Sequence, residues 1–235
     1  MKTIFDTLVM EIKEILKNLV KTDRNNRANF IVDYIKSINE KVNIFSYKNG
    51  KNIEFIKYGQ NRDKDIIFFS HYDISKETMD GANDNSSSVA VLLKLIEYLN
   101  HVNPYYNIRL IFNDKEEILG ALLNKNLDLT DLSKIITNVG SFQYLKSFTN
   151  KNNILAIFNL ELSGIGDVLY FATKSGLVNC NENLINFLEF VSKKENIKYL
   201  KLPILNSDMI SIHTLSLKGV VYGAIPEYEG KNYSM

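Results

Sequence analysis

Apolar residues recur near helical spacing at Leu8, Ile12, Leu16 and Val20, and again at Phe30, Ile31, Tyr34 and Ile35 behind the polar patch Lys21 to Arg27. This periodicity predicts two amphipathic N-terminal helices of the kind that cover a sheet. Residues 42–47 and 53–58, separated by Lys48-Asn49-Gly50-Lys51-Asn52, read as a hairpin with Asn49-Gly50 as its turn signal. The run Ile66-Ile67-Phe68-Phe69 lacks alternation, which predicts a strand buried on both faces. Beyond a polar loop over 73–85, Val89, Val91, Leu92, Leu95, Ile96 and Leu99 share a helical face, and a strand is predicted at 108–112. A broken helical region (119–145), strands at 154–160 and 168–172, and a helix at 182–193 follow. The tail offers a short strand near Tyr199, a helical stretch at 208–216 and a strand at 219–222. Apolar strands alternating with amphipathic helices define an α/β fold: a mixed, mostly parallel central sheet sandwiched by helices, in a single domain over 1–235.

Composition narrows the classes. With 45% hydrophobic and 23% charged residues, the chain of 235 is ordinary globular material, so disorder, collagen-like repeats and coiled coil are poor readings. Lys+Arg of 28 against Asp+Glu of 27 leaves a net charge of +1, too little to draw the protein onto nucleic acid or an anionic membrane; neither partner is expected. The single cysteine, Cys180, excludes an internal disulfide framework and a Cys-rich zinc site, and fits a reducing compartment. Charged Glu11, Lys13 and Glu14 come too early for a signal peptide, and no run of about 18 apolar residues exists to cross a membrane. A soluble, cytoplasmic protein is the expectation.

In open α/β sheets ligands sit outside the carboxyl ends of the strands, so the polar residues just after each apolar run carry the interest. Behind 66–69 come His71 and Asp73; behind 108–112 come Glu116 and Glu117; at the end of 154–160 comes Glu161. Asp84 stands in Gly81-Ala82-Asn83-Asp84-Asn85, just before a predicted helix whose N-terminal N–H groups favour an anion. Taken singly, each has a plainer explanation. His71 fits a capped or surface histidine, Asp84 an N-cap, and Asp114-Lys115-Glu116-Glu117 a solvated charge cluster. Glu161 resists such a reading best, because an unpaired carboxylate at the end of Ile154-Leu155-Ala156-Ile157-Phe158-Asn159-Leu160 would cost several kcal/mol. A cation should meet it, either a distant Lys or Arg or a metal ion. Imidazole and carboxylate are the ligands zinc takes when thiolates are absent, and Asp73 could accept the other ring N–H of His71 and fix its tautomer.

Ser70-His71-Tyr72-Asp73, Gly81-Ala82-Asn83-Asp84-Asn85, Glu116-Glu117, Asn159-Leu160-Glu161-Leu162-Ser163-Gly164-Ile165-Gly166-Asp167, and Ser207-Asp208 before Gly219-Val220 together resemble the ordered motifs of the co-catalytic zinc aminopeptidases. That is family 28 of the metallopeptidases, which includes bacterial leucyl aminopeptidase, aminopeptidase Y and the related glutaminyl cyclases. The resemblance runs from Ile66 to the C-terminus. It implies one or two zinc ions per chain and a peptide substrate. His71 and Glu161 would ligate one ion, Glu117 the other, and Asp84 would bridge them; Glu116 would be the general base and Asp73 would orient His71. It also implies a cis peptide bond between Asp84 and Asn85, and places Ser207 and Asp208 beside the pocket.

Two features depart from that pattern. The family supplies a last histidine to the second zinc from a loop beyond the Ser-Asp motif, whereas no histidine follows His213 here. His101 reads as a surface residue at a helix end, and His213 as a helix residue with a structural role. The glutamate pair, in Glu116-Glu117-Ile118-Leu119-Gly120, lacks the family's usual glycine spacing. Three accounts stay open: a piece of a longer enzyme, a variant with one zinc at His71, Asp84 and Glu161, or a descendant without catalysis. The resemblance thus implies an aminopeptidase removing N-terminal residues from peptides; the alternatives are a catalytically impaired member that binds a peptide or partner and, further off, a cyclase or deacylase.

Overall fold

A computed structural model describes residues 4–38, 40–75, 80–123 and 129–227. Two helices lead, α1 (Ile4–Lys21) and α2 (Arg27–Ser37), followed by the hairpin β1 (Asn43–Tyr47) and β2 (Gly50–Lys57) and the long strand β3 (Asn61–His71). Then come α3 (Ser87–Leu99), β4 (Tyr106–Asn113), a 3-10 segment (Glu117–Leu123), α4 (Leu129–Asn138) and α5 (Gly140–Lys146). The second half holds β5 (Ile154–Leu160), β6 (Val168–Ser175), β7 (Val178–Asn179), α6 (Glu182–Lys194), β8 (Tyr199–Ile204), α7 (Met209–Thr214) and β9 (Gly219–Ile225). Among the described residues nine strands form one mixed sheet in the order β1-β2-β4-β3-β5-β9-β6-β7, with β8 also paired to β6. Its centre, β4-β3-β5-β9, is parallel, and antiparallel pairings such as β1-β2 and β2-β4 lie outward.

Alternation along the strands divides the core in two. Leu110 and Phe112 of β4 face one side with Ile53 and Phe55, under Leu19, Ile31, Ile35, Leu93 and Ile96 of α1, α2 and α3. Between them, Ile111 points to the other face, where it joins Ile67, Phe69, Tyr144 and Leu145 of α5, and Met209 and Ile212 of α7. The two-sided burial predicted for β3 is met in full on one face: Ile67 and Phe69 are fully buried, whereas Ile66 and Phe68 on the other face are half-buried. Among the described residues no helix is long and apolar enough to cross a membrane.

The hairpin is tighter than predicted. Tyr47 pairs directly with Gly50, so Lys48 and Asn49 form the two-residue turn and Lys51-Asn52 already belong to β2. Gly50 serves close approach: a Cβ there would lie 2.5 Å from the Tyr47 hydroxyl and 2.7 Å from Asp114 Oδ2. The broken helical region resolves into the 3-10 segment, α4 and α5; residues 124–128 lie outside the described residues. Arg27, the last residue of the polar patch Lys21 to Arg27, is fully buried, because α2 begins there and turns it inward.

Candidate metal centre

Because β4, β3 and β5 run parallel and adjacent, their carboxyl ends lie at one edge of the sheet. His71 is the last residue of β3, Glu116 and Glu117 follow β4, and Glu161 follows β5, so strand order alone brings three of the motifs together. Asp84 reaches the same point from the segment Ala82–Ser86, whose Asp84-Asn85 peptide bond is cis, as the resemblance implies. Its N-cap reading fails: Ser86 is the residue capping α3, and the Asp84 side chain turns toward His71 instead.

The donors converge tightly. His71 Nε2 lies 3.1 Å from Asp84 Oδ1 and 3.4 Å from Glu161 Oε2, and the three ligand atoms all fall within 4.8 Å of one another. Two donors each bound at about 2.0–2.1 Å to a tetrahedral zinc would stand about 3.3–3.4 Å apart, so this spacing fits that ion. The cation expected beside Glu161 is therefore not a Lys or Arg: the ion pair it forms among the described residues is with His71. Glu116 Oε2 lies 3.8 Å from His71 Nε2 and faces the same space. Glu117 stands outside the three-residue cluster but lines the same cavity, and its buried Oε1 has no hydrogen-bond partner among the described residues. An orphaned carboxylate oxygen is what a second cation beside Asp84 would satisfy. Neither His101 nor His213 lines the cavity; His213 is exposed on α7, so the structural role expected of it is not borne by burial.

Four polar side chains set this geometry: half-buried Asp73 and the buried Asn85, Asn159 and Asp208. Asp73 does more than orient His71: Nδ1 lies 3.2 Å from its backbone carbonyl and 3.5 Å from Oδ1, while its two carboxylate oxygens accept the backbone N–H groups of Glu116 and Glu117, each at 3.2 Å. It thereby joins the end of β3 to the glutamate loop. Asn85, fully buried, donates to Leu160 O at 2.8 Å and accepts from Leu162 N at 3.2 Å, clasping the backbone on either side of Glu161. Asn159 Nδ2 donates to Glu161 Oε1 at 3.0 Å. Asp208, also fully buried, accepts from Asn113 Nδ2 at 2.8 Å and from Ser141 Oγ at 2.5 Å. Ser207 lines the cavity as the resemblance implies. Lys115 (φ 64°) and Leu162 (φ 54°) both adopt left-handed backbone beside a carboxylate, turning the chain sharply out of β4 and β5. Gly223 of β9 permits the close pass: a Cβ there would sit 1.7 Å from the Glu161 carbonyl oxygen.

Electrostatics follow from packing one imidazole among several carboxylates. Burial alone would lower the His71 pKa, but the charges of Glu161 and Glu116 and hydrogen bonds to Asp73 and Asp84 outweigh it and hold the ring protonated well above its usual range. Burial raises Glu116 well above the usual carboxylate range, with Glu161, Asp208 and Asp73 adding to the effect and His71 opposing it. Burial likewise pushes Glu161 up to about 7 against the pull of His71. Burial would raise Asp84 too, but its hydrogen bond to His71 and the charge of that ring prevail and lower it.

Zinc ligation needs the lone pair of a neutral imidazole, so the metal competes with a proton at His71. The His71 pKa is raised well above its usual range, so zinc binding there would have to displace that proton, and apparent zinc affinity is expected to rise with pH. Zinc uptake at pH 7 is expected to release at least one proton per ion, measured by calorimetry in buffers of different ionisation enthalpy. A count of zero would exclude His71 as the ligand.

The centre forms the floor of a cavity of about 750 Å³, walled by Leu119, Leu162, Ile165, Tyr170, Leu202, Ile204 and Ile225. The wall is apolar and the floor acidic, an arrangement suited to a molecule with one apolar and one cationic group.

Comparison with known proteins agrees with this construction. The sequence model of peptidase family M28 matches residues 52–233. No curated protein matches the chain. Among solved structures, the glutaminyl cyclase of Porphyromonas gingivalis superposes with a TM-score of 0.70 at 16% identity, over 94% of this chain and 85% of that one. A leucine aminopeptidase precursor from Bacteroides thetaiotaomicron gives a TM-score of 0.68 at 18% identity, over 93% and 85%. A zinc aminopeptidase from Bacillus subtilis gives a TM-score of 0.59 at 21% identity, over 77% of this chain but only 41% of its own. At these identities the likeness to solved structures concerns the fold.

Proposed function

The chain belongs to peptidase family M28, and on that premise we propose that it is a zinc-dependent aminopeptidase that hydrolyses N-terminal residues from peptides. The observation that carries this reading is the convergence of His71, Asp84 and Glu161 on the floor of an apolar-walled cavity, with the buried carboxyl of Glu116 alongside. These three residues would hold one zinc ion, and Asp84 with Glu117 would offer ligands to a second. Zinc in such a site supplies Lewis acidity, which activates water and polarises a carbonyl.

The protein's own groups do the rest. Glu116 takes a proton from the attacking water as its oxygen bonds to the scissile carbonyl carbon. It returns that proton to the leaving amine as the C–N bond breaks. A carboxyl raised above its ordinary range by burial suits a group that must accept a proton and then give it up near neutrality. Asp73 holds the backbone of Glu116 in place. The acidic floor favours the substrate's α-ammonium group, and the apolar wall favours an apolar first side chain.

The test is a panel of substrates with zinc stoichiometry measured on the same protein by elemental mass spectrometry. Leucyl-anilide is expected to be cleaved well, aspartyl-anilide poorly and N-acetyl-leucyl-anilide hardly at all, since acetylation removes the charge that the acidic floor attracts. Conversion of N-terminal glutaminyl peptides to pyroglutamyl products, without release of amino acids, would replace this reading with the cyclase chemistry that names the Porphyromonas gingivalis neighbour. No turnover at saturating zinc would favour a binding protein on the same cleft.

A further inference from the structure

Arg27 opens α2, ahead of the residues 52–233 that match the family, and its side chain is completely buried. A buried guanidinium is ordinarily met by a carboxylate. Among the described residues Arg27 forms no ion pair within bonding distance; its donors go to neutral oxygens. Nε donates to Tyr72 O at 2.6 Å, Nη1 to Leu19 O at 3.4 Å, and Nη2 to Ser86 Oγ. Two of these three acceptors belong to the metal centre's own loops. The Tyr72 carbonyl lies on the chain between His71 and Asp73. Ser86 lies two residues after Asp84, and its hydroxyl passes the contact on by donating to Gly81 O at 2.6 Å, across the foot of the loop that carries Asp84.

We infer that Arg27 is a positioning residue for the metal centre: its planar fork fixes the end of β3, which carries His71, against the Gly81–Ser86 loop, which carries Asp84. The inference rests on the reading of His71, Asp84 and Glu161 as metal ligands. A rigid plane with donors in fixed directions suits this task, because one group must hold two backbone segments at a set separation. What it sets is the 3.1 Å gap between His71 Nε2 and Asp84 Oδ1. Asn85 and Asp73 tie the other two ligand loops to this pair, so Arg27 completes a ring of polar clasps around the donors. Filling the same volume with an apolar side chain would avoid desolvating a charge, yet would leave the Tyr72 carbonyl without this donor and the Ser86 hydroxyl tied to Gly81 O but no longer to the end of β3. The guanidinium also places positive charge near Asp73, whose carboxylate holds the glutamate loop. Through its contact with Leu19 O at the end of α1, it makes the N-terminal helix pair part of the site.

The experiment compares the full chain with Arg27→Met, Arg27→Lys, Ser86→Ala and a control, Ile31→Ala, which opens a cavity at a fully buried apolar position of the same helix. Zinc affinity is measured by competition with a chromophoric chelator, and ligand geometry from the visible spectrum of the cobalt(II)-substituted protein, well below each variant's Tm. Arg27→Met is expected to weaken zinc binding roughly 10–100-fold, the usual effect of losing a partner that orients ligands, and to alter the cobalt spectrum. Ile31→Ala is expected to lower Tm while leaving affinity and spectrum near those of the wild type. Arg27→Lys and Ser86→Ala each perturb less, and combined they fall short of additivity, since both break the same contact. These two variants carry the test should Arg27→Met not accumulate as folded protein.

Wild-type affinity and spectrum in folded Arg27→Met, additive effects of Arg27→Lys and Ser86→Ala, or an equal loss of zinc affinity in Ile31→Ala would each overturn the inference. A wild type without peptidase turnover, whose zinc affinity still falls on replacing Arg27, would remove the proposed activity and leave the positioning role standing.

Discussion

Replacing Glu116 with Gln is expected to lower kcat about 10²–10⁴-fold, the range that general acid–base catalysis contributes, while zinc stoichiometry stays at the wild-type value. The separation of effects follows from position. Glu116 faces the ligand cluster at 3.8 Å from His71 Nε2 but lies outside the three residues whose donors converge. The amide of Gln nearly matches the carboxylate in size, and the backbone N–H at 116 still reaches Asp73, so the loop keeps its anchor. What is lost is the capacity to hold a proton between attack and departure of the amine. KM should therefore change little relative to kcat, since the group acts on the transition state rather than on substrate binding. A variant retaining more than about a tenth of wild-type turnover would sink the assignment of Glu116 as base.

Replacing His71 with Ala is expected to abolish tight zinc binding together with activity, with an affinity loss greater than the roughly 10–100-fold that removal of an orienting partner costs. His71 is the one nitrogen donor of the cluster, and its ring is also the cation facing Glu161, Glu116 and Asp84 in the metal-free protein. The variant leaves buried carboxylates facing one another with no counter-charge. Burial already raises Glu161 to about 7 and holds Glu116 well above the usual carboxylate range. A carboxyl whose folded pKa lies above its unfolded value is most favourable to the fold when protonated, and that contribution is lost as pH rises through the folded pKa. Metal-free His71→Ala should therefore have a Tm that falls as pH rises from about 4.5, the unfolded glutamate range, toward 7 and beyond. Thermal melts across pH and metal titration of the same variant check both halves; an alanine variant that binds zinc as tightly as wild type would exclude His71 from the centre.

How much of this was legible along the chain differs by element. The central strands stood out because burial on both sides demands unbroken apolar runs, as in Ile66-Ile67-Phe68-Phe69 and Ile154 to Leu160. Helices with one apolar face announced themselves through spacing. Strand β7 and the reach of β6 to Ser175 were missed, since a two-residue strand carries no period and the end of β6 is polar. The hairpin turn was displaced by one position because Asn-Gly is the stronger local signal, while the close approach of Tyr47 and Asp114 to Gly50 decided the pairing. His71, Glu116, Glu117 and Glu161 were singled out because strand ends are where an open sheet puts chemistry, and Asp84 because it precedes a predicted helix; the structure brings all five to one cavity. Asp73 was found for one of its two tasks.

Arg27, and the clasping role of Asn85, left no trace in the sequence. An arginine at the end of a polar patch has the same local pattern whether it faces water or the interior, and only the packing of α2 on the face of the sheet, with its first residue beside the end of β3, turns it inward. The sequence by itself determined the fold class and the donor types, because hydrophobic period and residue chemistry are properties of the chain. The tertiary structure decided which donors meet, at what distance, and with which protons: His71 lies 13 residues from Asp84 along the chain, yet 3.1 Å from it in space. Distance and desolvation, which set both ligand geometry and pKa, exist only once parallel strands and buried clasps have brought separate segments to one edge.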